Sequence, residues 1–221
     1  MNRFAAECCG TFCLVFAGTG AIVINDVSGG AVTHVGVSLT FGLIVMAMIC
    51  ALDGVSGAHL NPAVTLGFCL ARKFSFGDMP LYWTAQACGA CCASVCLRFL
   101  FPAHETLGLT APAGPPWQAF AVETMLTALL MFVILCVPGA QGRLKASLAV
   151  GGVIALEALF AGPLTGASMN PARSFAPALV SGHFENVWIY LVAPPLGAAL
   201  AVPCYRWAYP RGVPAEPTWQ P

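Results

Sequence analysis

Charge is what this sequence has least of. Only 8% of its 221 residues are Asp, Glu, Lys or Arg, while 58% are hydrophobic. An ordinary soluble domain carries about 25% charged residues, so this chain has too few to cover a globule of its size with a solvated surface. The bilayer is the solvent that suits it. The nine cations and nine anions cancel, and no basic stripe is present, which argues against a nucleic-acid partner. Paired zinc-type cysteine motifs are also missing. Eleven cysteines are present, but Cys8, Cys9, Cys13, Cys50, Cys88, Cys91, Cys92, Cys96 and Cys136 lie inside apolar runs. No CxxC has a second CxxC or a His pair to complete a metal site. The cysteines therefore read as small apolar packing residues, and no cofactor or metal is expected. No nucleophile–base pair stands out either, so the chain is not expected to be an enzyme.

Long apolar runs are what the sequence has instead. A membrane-spanning helix needs about 20 mainly apolar residues. Six segments meet that length: 4–24, 33–52, 80–101, 118–137, 146–163 and 187–207, the fifth being the shortest and ending near Pro163. Glu7 interrupts the start of the first run, which then continues to Ile24. It reads as a retained membrane helix, not a signal peptide. Two further apolar stretches, one after the second run and one after the fifth, are too short to cross alone.

Those short stretches repeat. Gly-Ala-x-x-Asn-Pro-Ala occurs at 57–63 and again at 166–172. Glu7 has a counterpart in Glu123, and Tyr82 to Ala90 resembles Tyr190 to Ala198. With three spanning helices per half, the halves must lie in opposite orientations. Inverted repeats interrupted at matching positions point to a pathway at their interface. The expected division is a first half at 1–105, a linker at 106–117 within the Pro-rich stretch 102–117, a second half at 118–209, and a Pro-rich, disordered tail at 210–221. Small residues in the helices (Gly89-Ala90, Ala128, Gly151-Gly152, Gly197-Ala198-Ala199) permit close helix contact.

Direction follows from the cations. If six helices cross, Arg3, Arg72, Lys73, Arg143, Lys145, Arg206 and Arg211 share one side, and only Arg98 lies near the other. The positive-inside rule then puts both termini in the cytoplasm of a plasma or inner membrane.

Asn61-Pro62-Ala63 and Asn170-Pro171-Ala172 have the sequence of helix starts. Asn is among the best N-caps, and Pro in the first turn forfeits no hydrogen bond. Two such starts arriving from opposite faces bring their positive dipole ends to one spot, where two Asn amides can donate to a neutral solute and a cation is repelled. On this doubled motif, with Arg173 following the second copy, the chain resembles the aquaporin, or major intrinsic protein, family over nearly its whole length. The resemblance implies an all-α membrane protein, six tilted transmembrane helices plus two re-entrant half-helices in an inverted repeat. It further implies a pore in each monomer, lined at its centre by Asn61 and Asn170, and a homotetramer.

Counting from the motifs gives the family's outer constriction as Phe41, Ala158, Ala167 and Arg173. Water-selective members usually carry histidine at the position of Ala158 and a small polar residue or cysteine at that of Ala167. The set here is wider and less polar. Gly162 to Met169 resembles the nodulin-26-like branch and its bacterial relatives, which pass glycerol and metalloid acids, yet Ser174 stands where glycerol facilitators typically carry an acid. The expected function is a passive channel for water and small uncharged solutes such as glycerol, arsenous or boric acid, closed to ions and protons. A strict water channel is the alternative, and an inverted-repeat secondary transporter a more distant one. Supporting positions are expected at Glu7 and Glu123, whose carboxylates either accept from the re-entrant loops or reach the interface. Glu157, about 100° around its helix from Ala158, either braces the constriction from behind or makes an incidental polar contact. His59 serves as a pH-dependent gate or as a structural hydrogen-bonding group.

Overall fold

A computed structural model describes residues 2–137 and 142–210. Among them every regular element is a helix: α1 (Arg3–Val27), α2 (Thr33–Ser56), α3 (Pro62–Leu70), α4 (Met79–Leu100), α5 (Pro116–Cys136), α6 (Arg143–Thr165), α7 (Pro171–Ser181) and α8 (Val187–Ala208). Six are 21–25 residues long, enough at about 1.5 Å per residue to cross a hydrocarbon layer of about 30 Å. Five of these are also apolar enough to span on composition alone. The exception, α4, is 22 residues long but buries Gln86 and Ser94 and carries Arg98 in its last turn. The helices α3 and α7, of 9 and 11 residues, are half-length. Of the expected tail at 210–221, all but Pro210 lies outside the described residues.

The packing is symmetric in kind. α1 packs on α2 and α4, α5 packs on α6 and α8, α2 meets α6, α3 lies on α8, and α7 lies on α4. Exchanging α1–α4 for α5–α8 maps this set of contacts onto itself, as an inverted repeat requires. The close crossings occur at glycines. A Cβ at Gly89 would strike the Cys8 carbonyl, and one at Gly197 would strike that of Thr124. Gly42 and Gly151 each lie against the other's carbonyl. Backbones can approach this closely only where side chains are absent, which is how helices associate in lipid. Large apolar residues such as Leu43, Leu156, Phe160 and Leu200 face outward instead. Trp83, Trp117, Trp188 and Trp207 are exposed near helix ends, where aromatic rings settle at a membrane interface.

Helix ends follow local chemistry and correct the expected bounds. α5 starts at Pro116, two residues before the expected 118, because proline fits a first turn. α6 ends two residues past Pro163. It continues to Thr165, is 23 residues long, and is not the shortest of the six. Pro163 cannot donate to the Leu159 carbonyl one turn back. His34 Nε2 lies 2.8 Å from that carbonyl and takes the place of the missing donor. α6 then ends on Gly166, as α2 ends on Gly57, both left-handed at φ 82° and 83°.

Of the seven cations expected on one side, Arg3, Lys73, Arg143 and Arg206 make contacts at helix ends, and Arg211 lies outside the described residues. Arg143 pairs with Asp53 (3.4 Å), Arg3 with Asp78 (3.7 Å), Lys73 donates to the Leu135 carbonyl at the end of α5, and Arg206 donates to that of Leu70 at the end of α3. These contacts involve the ends of seven helices, α1 to α6 and α8. Arg98 lies at the other end of α4, with Asp26 and His104.

Candidate functional site: a pore between the two halves

The site is built by the two repeated motifs. Asn61 caps α3 by accepting from the Ala63 N–H (2.8 Å), and Asn170 caps α7 by accepting from the N–H groups of Ala172 (3.0 Å) and Arg173 (3.3 Å). The amides also cross between halves. Asn61 Nδ2 donates to the Met169 carbonyl (2.7 Å) and Asn170 Nδ2 to the Leu60 carbonyl (2.9 Å). Each NH₂ group carries two hydrogens, so each spends one on the other half and keeps one for the cavity that both line.

The loops entering these caps are strained in the same way. Ala58 and Leu60, and likewise Ala167 and Met169, are left-handed at φ 47°, 53°, 41° and 53°. Each such residue costs on the order of 1–3 kcal/mol. The offset comes from buried carboxylates. Glu7 accepts from the N–H groups of His59 and Leu60 and from Ser56 Oγ and Gln86 Nε2, at 2.7–2.9 Å. Glu123 accepts from the N–H groups of Ser168 and Met169 and from Thr165 Oγ1, again at 2.7–2.8 Å. Both carboxylates therefore hold loop backbone and do not reach the interface. Tyr82 and Tyr190 complete the parallel, donating to the carbonyls of Ser56 (2.6 Å) and Thr165 (2.7 Å). In the sequence these tyrosines stand out only as part of a repeat. Ser56, Thr65, Gln86 and Thr165 carry no signal there beyond their places near the doubled motif.

One cavity of about 230 Å³ lies between the two halves of the bundle. It passes from Asp53 and Lys73 at the cationic face, by His59, to Asn61 and Asn170, and on to Phe41, Ala158, Ala167 and Arg173. Leu14, Val45, Val150 and Ile154 supply its apolar wall. Arg173 is buried with its guanidinium 5.1 Å from the Phe41 ring centre. Its Nη1 donates to the Gly108 carbonyl (2.8 Å), a partner the sequence did not reveal. Its Nε and Nη2 have no protein partner. His59 Nδ1 lies 3.1 Å from Thr65 Oγ1, and its ring packs against Phe68, Phe74 and Tyr82. Glu157 does not line the cavity. Its side chain is buried and both oxygens lack a hydrogen-bond partner, so it holds neither loop nor constriction through such a bond. No group of His, Cys, Asp or Glu able to hold a metal occurs among the described residues, and their cysteines are all free thiols.

A membrane-spanning inverted repeat with a cavity along its internal axis defines the class: a transmembrane channel. Known proteins agree. Residues 1–205 match the family profile described as Major intrinsic protein. Aquaporin NIP1-1 of Oryza sativa subsp. japonica is 45% identical over 95% of this chain and 73% of its own length. Aquaporin NIP1-4 of the same plant is 48% identical over 95% and 76%. Among solved structures, the aquaglyceroporin from Plasmodium falciparum superposes with a TM-score of 0.85, covering 92% of this chain and 94% of its own, at 29% identity. The chain belongs to the major intrinsic protein family. It is an integral membrane channel for water and small solutes, not an enzyme.

Proposed function

We propose that this channel passes water and uncharged solutes larger than water, of the size of glycerol or boric and arsenous acid, and excludes ions and protons. The observation that carries this reading is the outer constriction. Arg173 offers two unpartnered nitrogens beside the apolar Phe41 ring on which its guanidinium packs, while Ala158 and Ala167 contribute only methyl groups. Hydroxyls can be bound on one wall and carbon, or a bulky central atom, on the other. The aquaglyceroporin likeness supports the same reading. A buried fixed cation, with two half-helix N-termini meeting at Asn61 and Asn170, opposes cation passage. We also propose that the chain forms a homotetramer in a plasma or inner membrane with both termini in the cytoplasm, the exposed apolar helix faces being available to neighbouring copies. Native mass measurement in detergent tests the tetramer, and a single-copy mass would reject it.

The decisive experiment is stopped-flow permeation in proteoliposomes with water, glycerol and boric acid. Wild-type vesicles are expected to pass all three, and Arg173→Val vesicles to gain a proton leak. Water flux without either larger solute would establish a strict water channel, and dependence on an ion gradient would establish a transporter.

A further inference from the structure

The Gly108 carbonyl that holds Arg173 belongs to the loop between α4 and α5, and that loop is tied down by one histidine. Arg98 fixes the loop's start, donating from Nη1 to the carbonyls of His104 (2.7 Å) and Pro102 (3.2 Å) and from Nη2 to that of Glu105 (3.4 Å). The His104 ring then bonds on both edges. Its Nδ1 is 3.1 Å from the Leu107 N–H, and its Nε2 is 3.2 Å from Asp26 Oδ2 at the end of α1. A backbone N–H only donates, so Nδ1 must be the acceptor and the ring proton sits on Nε2, facing Asp26. Leu107 is fully buried and left-handed at φ 53°, and Gly108 follows it at φ 73° against Thr19. Beyond Gly108 the loop is anchored separately, by Thr110 on Ser174 and by the Ala113 N–H on the Leu164 carbonyl. On the upstream side, His104 is the side chain that bonds the residue next to Gly108.

We propose that His104 is a positioning residue of the outer constriction, and that its protonation at Nδ1 loosens the hold of Gly108 on Arg173 and so lowers permeation. This inference rests on the constriction reading above. Histidine ordinarily changes charge between about pH 5 and 8. Once Nδ1 carries a proton it becomes a donor facing the Leu107 N–H, which loses its acceptor inside a buried, left-handed turn. Asp26 from α1 is the charged group bonded to the ring; Arg98 from α4 bonds the His104 backbone carbonyl, and Glu105 is the next residue on the loop. Asp26 gains an ion pair on protonation, but its side chain is 52% exposed, so water screens that gain. The buried turn bears the loss. Arg173 Nη1, released from Gly108, then seeks acceptors along the cavity wall and narrows the passage.

The test is water and glycerol permeation of the full chain in proteoliposomes at about pH 7.5 and about pH 5.5, with wild type, His104→Asn, His104→Ala and Arg173→Val compared. The short Asn amide oxygen replaces Nδ1 as acceptor for the Leu107 N–H but does not titrate in this range. Wild-type flux is expected to fall about threefold or more on acidification, glycerol more than water, across the interval where imidazole gains its proton. His104→Asn should hold the neutral-pH flux at both values, and His104→Ala should be low at both. A flat wild-type profile, an acid fall retained in His104→Asn, or full flux in His104→Ala would overturn the proposal. If Arg173→Val leaves permeation and proton leak unchanged, the constriction reading itself fails. If Arg173→Val alters them while the wild type stays flat with pH, only the role of His104 fails.

Discussion

Two alanines present only methyl groups to the cavity at the proposed constriction. Ala158 and Ala167 are each 7% exposed and border the cavity, so any side chain longer than Cβ at these positions grows into the path of the solute. A rigid imidazole at 158 has no space to retreat in a tightly packed bundle. Ala158→His should therefore reduce glycerol flux about tenfold, roughly 1.4 kcal/mol of barrier, while leaving water flux within about twofold. Stopped-flow comparison of the two rates checks this, and equal losses would mean general damage. Glu123 makes a different kind of prediction. In Glu123→Gln one carboxylate oxygen becomes an NH₂, which meets the N–H of either Ser168 or Met169 as donor against donor. A buried N–H without an acceptor costs about 1–3 kcal/mol. Thermal unfolding in detergent should report a loss of that order together with reduced flux, because both partners precede the cap at Asn170. A variant as stable and as permeable as wild type would show that Glu123 is not holding the loop.

Among the elements, the crossing of α1 and α4 is the most sensitive to volume. Gly89 leaves no space for a Cβ beside the Cys8 carbonyl, whereas Gly152 on α6 has open surroundings. Gly89→Val is expected to destabilise the bundle by about 1–3 kcal/mol, and Gly152→Val to be close to neutral. Melting temperatures of the two variants in the same detergent provide the comparison, and an equal effect would place the close approach elsewhere. The short helices depend on their neighbours in another way. At 9 and 11 residues, α3 and α7 are below the length at which an isolated helix persists in water, so packing and capping hold them. Arg206 and Trp83 do part of this for α3, donating to the carbonyls of Leu70 and Pro62. The same long neighbours, α8 and α4, are the ones whose small residues admit close contact.

At the scale of the molecule, the cations at one face and the crossing of the two halves predict orientation. Reporters active only in the cytoplasm should be active when fused to either end of the chain, because an even number of spans separates them. Activity at one end alone would break the inverted repeat as a topological statement, and activity at neither would reverse the orientation. Much of this plan was legible in the chain itself. Apolar runs of spanning length, a doubled Asn-Pro-Ala and a one-sided set of cations are local patterns, and hydrocarbon as solvent leaves few structures able to satisfy them. Glu7 and Glu123 were legible as a pair for the same reason, because they stand at equivalent places in the repeat. What the sequence could not provide was any contact whose partner lies far along the chain without a repeated signal. The Gly108 carbonyl that receives Arg173 is a backbone atom 65 residues away, in a loop with no motif. The donor that replaces Pro163, the ring of His34, stands 125 residues from its acceptor. Whether Glu157 braces the constriction or makes an incidental contact was not legible in its place beside Ala158, and both its carboxylate oxygens lack a hydrogen-bond partner among the described residues. Sequence alone thus determined the membrane, the repeat and the two half-helix starts at Asn61 and Asn170, because periodicity, capping and solvent act on each segment separately. Only the tertiary structure decided which carbonyls, rings and loops complete the constriction, because those partners are chosen by how the two halves meet in space.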